Sequence, residues 1–247
     1  RCGRRARRPR ACARRPRIPA RLAHRMPPRE GPASRWRVLL LWPNIVCYAR
    51  AVLTLSAVAL GAHGSVQPLT AAGLYAGGMV LDGLDGALAR ALEQQSEFGA
   101  LLDVVVDVAC RGAMWALAVE GPLGVAPVLL EMLVFACTHT EGGGAWKTGC
   151  FAGAPRLVSA VMKNGFRSPL GALTVAGLHF LPLWLWLAPR LPQGHPLSLP
   201  LLGLVLAVGR VVGAVVEAWV VSRHIGAILA RDAASLTGRA TSARGAE

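Results

Sequence analysis

Four aspartates and an arginine stand between two apolar runs, at spacings that suit metal-ion chemistry. The segment reads Asp82-Gly-Leu-Asp85-Gly86-Ala-Leu-Ala89-Arg90, then eight residues, then Gly99-Ala-Leu-Leu-Asp103-Val-Val-Val-Asp107. On a helix, Asp82, Asp85, Gly86 and Ala89 fall at i, i+3, i+4 and i+7 and share one face, with Arg90 at its border. Gly99, Asp103 and Asp107 repeat every four residues and share a face of the next helix. The short polar loop 93–97 joins the two, so the spacing predicts antiparallel neighbours whose aspartate faces meet. A charge buried in an apolar setting is costly unless it is paired, bound to metal or facing water. Four acids and one arginine do not balance without added cations. Four hard oxygen donors around one cavity suit Mg²⁺ or Mn²⁺ and suit zinc poorly. Gly86, Ala89 and Gly99 take bulk off the same face, so a ligand can approach the backbone closely.

The elements that must hold these residues are membrane helices. The chain is 53% hydrophobic with a mean hydropathy of +0.44, too apolar for an ordinary soluble domain. Its net charge of +14 is concentrated at one end. Residues 1–37 hold fourteen arginines against one acid, Glu30, while the rest carries 13 basic and 12 acidic residues. Residues 1–37 therefore read as a basic, disordered leader. Met26 is the first methionine, and residues 1–25 read as upstream translated sequence or a fragment artefact. The basic run has no interleaved aromatics and no nucleic-acid-binding signature, so no nucleic-acid partner is expected. The six cysteines, at 2, 12, 47, 110, 137 and 150, show no CxxC pair and read as small buried hydrophobes.

Apolar runs mark six spans near bilayer length: about 45–63, 71–92, 98–119, 123–138, 170–187 and 199–228. Pro43-Asn44 is a helix-start signal for the first. The expected fold is all-α, a six-helix polytopic membrane domain over 38–230 followed by a polar tail over 231–247. Lys and Arg concentrate in the leader, the 142–168 loop and the tail; the opposite loops hold only Arg190. The positive-inside rule then places both termini and the aspartate end of spans two and three on the cytosolic side. Trp42, Trp146, Trp184 and Trp186 fall near span ends, as interfacial aromatics do. Glu131 and Glu217 are acids inside spans, each able to line the cavity or to pair; Arg210 lies two turns from Glu217. His179 and His224 have no metal partners at useful spacing and read as structural or interfacial.

The pattern D-x2-D-G-x2-A-R-x8-G-x3-D-x3-D, complete from Asp82 to Asp107, resembles the signature of the CDP-alcohol phosphatidyltransferase family over about residues 40–230. Pro43-Asn44-Ile-Val-Cys-Tyr48-Ala49-Arg50, Ala89-Arg90-Ala91-Leu92-Glu-Gln94 and Phe98-Gly99-Ala100-Leu101-Leu102-Asp103 are similar to the inositol-using members. The resemblance implies an enzyme that transfers a phosphatidyl group from CDP-diacylglycerol to an alcohol, inositol foremost, and releases CMP. It implies that Asp82, Asp85, Asp103 and Asp107 hold one or two Mg²⁺ or Mn²⁺ ions. Asp107 would also take the proton of the acceptor hydroxyl. Arg90 would contact phosphate, and Gly86, Ala89 and Gly99 would admit the cytidine nucleotide. Asn44 and Arg50 would complete the polar wall. Lys147, Lys163 and Arg167 are candidates for the acceptor side, and equally for positive-inside loop charges. A homodimer in the endoplasmic reticulum is the corresponding expectation. The sequence departs from the inositol-using pattern at Val108, where an arginine is usual, and across 139–168. Glycerol phosphate or serine as acceptor, and a non-catalytic paralogue, therefore stay open.

Overall fold

The computed structural model describes residues 33–138, 151 and 153–244. Among these, all regular structure is helical. Helix α1 is Ala33–Leu39, α2 is Trp42–Ala62, α3 is Pro68–Ala91, α4 is Glu97–Ala118 and α5 is Pro122–Thr138. A short α6, Arg156–Met162, precedes α7, Pro169–Leu187, and α8, Pro200–Arg244. The six expected spans correspond to α2, α3, α4, α5, α7 and α8. Helix α1 begins inside the segment expected to be a disordered leader, and α8 continues through the polar residues after 231.

Proline, glycine and serine set the boundaries. Pro43, Pro68 and Pro169 sit in the first turns of α2, α3 and α7, where a missing N–H is harmless. Ser96 caps α4 by accepting from the Gly99 amide at 3.0 Å, and Ser168 caps α7 from Gly171 at 2.9 Å. The α3–α4 turn closes through Glu93, whose φ of 55° is left-handed, with Gln94 N donating to Ala89 O at 2.9 Å. The Gln94 side chain then accepts from the Trp42 amide at 3.2 Å, which ties this turn to the start of α2.

By length and composition alone, three described helices can cross a membrane: Trp42–Ala62, Pro169–Arg190 and Pro200–Leu236. Pro122–Thr138 is apolar but shorter. Helices α3 and α4 have 24 and 22 residues, long enough, but their apolar character is interrupted by the aspartates and arginines.

The packing differs from the expectation in one respect that matters for the site. Helix α2 is the principal neighbour of α3 and packs on α4 as extensively as α5 does, so the two aspartate helices meet mainly through it. Glycines permit this. A Cβ on Gly78 of α3 would collide with the Thr54 hydroxyl of α2. A Cβ on Gly99 of α4 would lie 2.8 Å from Asn44 Oδ1 of α2. On the far side, α7 crosses α8 at Gly177 and Gly209, each of which faces the other helix's backbone too closely for any side chain.

An apolar core fills the end of the bundle away from the aspartates: Ala57, Ala71, Tyr75, Met114, Leu183 and Trp186. Trp186, expected at the interface, is 3% exposed and packs against Gly61; this α7 face is turned toward α2 and α3 rather than toward lipid. Trp42, by contrast, is exposed, and Trp146 lies outside the described residues.

Candidate active site

The aspartates gather around an arginine from α2. Arg50 has no exposed side-chain surface. Its Nη1 donates to Asp82 Oδ1 and, at 2.9 Å, to Asp107 Oδ1. Its Nη2 donates to Asp103 Oδ1 at 3.1 Å, to the Asp103 carbonyl at 3.2 Å and toward Cys47 Sγ at 3.6 Å. The planar fork thus divides the cluster, with Asp82 and Asp107 on one prong and Cys47 and Asp103 on the other. Oxygens of Asp82, Asp103 and Asp107 lie within 4.8 Å of one another; so do donor atoms of Cys47, Asp85 and Asp103.

Asp85 is different. It is 6% exposed, and its Oδ2 is buried without a hydrogen-bond partner. A buried carboxylate oxygen left in that condition is expensive, and a cation is what such an oxygen accommodates. The donor set fits a hard divalent ion: all-oxygen on one side, with acids in excess of the arginines that face them.

Behind Asp107 lies a second arginine that sequence reasoning passed over. Arg111 Nη1 lies 2.9 Å from Asp107 Oδ2 as an ion pair, without a hydrogen bond, and its Nε donates to Glu131 Oε2 of α5 at 2.8 Å. Both Asp107 oxygens therefore lie against guanidinium groups, Oδ1 accepting from Arg50 and Oδ2 in ion-pair contact with Arg111. The signal was present: Arg111 is four residues beyond Asp107, on the same helix face, alone in an apolar run. Val108, which stands where an arginine is usual, is buried at 8% exposure. One turn on, Arg111 supplies the cation that touches the last motif aspartate. Glu131 is thereby a pairing partner rather than a free cavity acid. Glu217 likewise pairs within its own helix, Arg210 Nη1 donating to Glu217 Oε2 at 2.9 Å.

The remaining candidates separate. Gly86 carries the Arg90 guanidinium over it, with Nη1 3.5 Å from where a Cβ would stand; Arg90 itself is exposed and Ala89 is partly buried. Asn44 is 2% exposed, its Nδ2 donating to the Val38 carbonyl at 2.6 Å and its Oδ1 filling the space Gly99 leaves. The space at Gly99 is thus taken by α2. Lys163, ending α6, and Arg167, before α7, are exposed and form no ion pair with the carboxylates. Lys147 lies outside the described residues.

Comparison with known proteins decides the family. The family model for CDP-alcohol phosphatidyltransferase matches residues 40–211, well over half of the chain. This chain belongs to the CDP-alcohol phosphatidyltransferase family. A CDP-diacylglycerol–inositol 3-phosphatidyltransferase from Homo sapiens is 40% identical over 70 residues, covering 28% of this chain and 32% of the human protein. The match thus spans about a third of that relative's length. No solved structure matches. Membership accounts for the helices: the chain is a polytopic membrane protein whose charged face is built into α3 and α4.

Proposed function

We propose that this chain transfers the phosphatidyl group of CDP-diacylglycerol to an alcohol, with inositol the favoured acceptor, in a reaction that depends on Mg²⁺ or Mn²⁺. The observation that carries this reading is the convergence of Asp82, Asp103 and Asp107 oxygens within 4.8 Å, with Asp85, whose Oδ2 is buried and unpartnered, grouped with the same Asp103. Inositol is favoured by the partial likeness to the human inositol phosphatidyltransferase.

Asp82, Asp85, Asp103 and Asp107 would hold the ions. A bound divalent ion neutralises the diphosphate and the charge that collects on departing CMP. Arg90, exposed beside Gly86, is placed to hold a phosphate as a permanent charge. Gly86 and Ala89 keep the α3 backbone accessible to the nucleotide. The acceptor oxygen forms a bond to the phosphorus that carries the lipid, the bond from that phosphorus to CMP breaks, and the hydroxyl proton passes to Asp107. For Asp107 to accept it on Oδ1, Arg50, which donates to that oxygen, has to yield, while the ion pair with Arg111 holds Oδ2. Arg50 also joins Asp82 to Asp103, which keeps α3 and α4 in register across α2. Lys163 and Arg167 would steer the acceptor from the exposed side. The endoplasmic reticulum, a cytosolic active site and a homodimer complete the reading, supported by the loop charges and the family.

Purified full-length protein, supplied with CDP-diacylglycerol, Mg²⁺ or Mn²⁺ and a panel of labelled alcohols, tests it. CMP release with formation of phosphatidylinositol is expected. Lipid product from glycerol phosphate or serine but none from inositol would reject the acceptor. No CMP release with any alcohol would reject the enzyme.

A further inference from the structure

The carboxylate cluster contains a sulfur that oxygen-only metal chemistry does not require. Cys47 of α2 is 3% exposed, and its Sγ, with oxygens of Asp85 and Asp103, forms a three-donor group within 4.8 Å. Two observations lift this above a chance burial. Asp85, 6% exposed, is a member of the group, and its carboxylate keeps a buried oxygen, Oδ2, without a hydrogen-bond partner. The Sγ also lies on the Nη2 prong of Arg50, 3.6 Å away, so the thiol touches the site's polar network on one side while it packs against Val106 and Cys110 on the other. Cys110 and Cys137 are buried too, but neither falls in a group of metal-donor side chains among the described residues.

We propose that Cys47, Asp85 and Asp103 form a mixed sulfur–oxygen site that takes a borderline or soft divalent cation of the Zn²⁺ and Cd²⁺ class in preference to Mg²⁺. Softness is the reason. A thiolate adds little for Mg²⁺, which demands oxygen and gives up water reluctantly, whereas Zn²⁺ bonds sulfur, nitrogen and oxygen alike. Coordination replaces the S–H bond by a metal–sulfur bond, and the proton leaves to solvent. Asp103 serves both donor groups, so a cation held by Cys47 engages a carboxylate that the hard-ion site also needs. Occupation by Zn²⁺ or Cd²⁺ therefore inhibits metal-dependent turnover, and Cys47 sets the sensitivity. The proposal rests on the reading of the aspartates as a cation site, but not on the identity of the reaction.

Cd²⁺ titration of the detergent-solubilised full-length protein tests it, read by the sulfur-to-cadmium charge-transfer absorption. The expected result is one Cd²⁺ per chain with that band in the parent protein and in Cys110→Ser. In Cys47→Ser the band disappears, and in Asp85→Asn Cd²⁺ affinity falls at least ~10-fold, the lower end of what even outer-shell partners are worth. Thermal unfolding of each variant in the same detergent confirms that it is folded. A band that survives Cys47→Ser, or that is lost equally in Cys110→Ser, overturns the proposal; so does its absence from the parent. Competition against Mn²⁺, followed by electron paramagnetic resonance, supplies the second measurement. Cys47→Ser should weaken Zn²⁺ at least ~10-fold while moving Mg²⁺ much less, and equal weakening of both would sink the idea. A Cd²⁺ site without CMP release would reject the phosphatidyl-transfer reading and leave this one standing. CMP release without a Cd²⁺ site would do the reverse.

Discussion

The two ionic groups among the described residues are built on opposite principles. Arg210 and Glu217 of α8 make a balanced pair, one cation to one acid, at 2.9 Å and two turns apart on one helix. The cluster of α2, α3 and α4 is unbalanced. Asp82, Asp103, Asp107 and Glu131 share Arg50 and Arg111, Asp85 lies beside them, and its Oδ2 has no hydrogen-bond partner. A balanced pair neutralises itself and needs nothing from outside. An unbalanced one is stable when water or a cation completes it. The difference separates a group that holds a helix in place from a group that binds.

The largest test of that contrast removes acids from each side. Asp103→Ala and Asp107→Ala should each lower CMP release by at least ~100-fold, the scale of a lost acid–base or ligand group, with the unfolding temperature kept or raised because excess charge is removed. Glu217→Gln should do the opposite, costing stability of about 3 kcal/mol by stranding Arg210 while turnover stays within ~2-fold. Turnover assays and thermal unfolding in detergent read both. If Glu217→Gln lost activity as steeply as Asp103→Ala, the distinction would collapse.

Chelation separates the two groups next. EDTA should stop CMP release, and Mg²⁺ or Mn²⁺ should restore it. Metal addition should raise the unfolding temperature of the parent but not of a protein lacking both Asp82 and Asp103. Arg111 lies between the extremes because it ties Asp107 of the cluster to the buried Glu131 of α5. Arg111→Met should cost about 3 kcal/mol by leaving Glu131 buried and unpaired, and Arg111→Met with Glu131→Met should recover part of that loss. Measured additivity of the two changes would show that they do not act as a pair. The smallest effect is steric. Gly78→Ala should cost about 1–3 kcal/mol by forcing α3 away from Thr54, with the loss relieved by Thr54→Ala.

Much of the scaffold was legible in the sequence because membrane helices announce themselves by long apolar runs punctuated by proline, glycine and polar turns. The first span, expected at about 45–63, is α2 at Trp42–Ala62, and the fifth, at about 170–187, is α7 at Pro169–Leu187. The alignment of Asp82 with Asp85, and of Asp103 with Asp107, follows from 3.6 residues per turn and needed no tertiary information. The placement of Arg50 did not follow. It lies 32 residues from Asp82 and 53 from Asp103, and only packing of α2 against both aspartate helices brings it to them. The same holds for Arg111 and Glu131, 20 residues apart on different helices. Trp186 shows the limit from the apolar side: nearness to a span end suggested the interface, and the packed face of α7 placed it in the core.

The sequence by itself determined that the helices exist, where they begin and end, and which residues share a face. Those properties depend on local backbone geometry and on the free energy of moving side chains between water and an apolar phase. Tertiary structure decided which faces meet: that α2 stands between the aspartate helices, that Arg50 divides their carboxylates, and that Arg111 rather than the residue after Asp107 grips the last acid. These are set by close helix approach at Gly78 and Gly99 and by the need to pair buried charge across elements, neither of which is a property of any single segment.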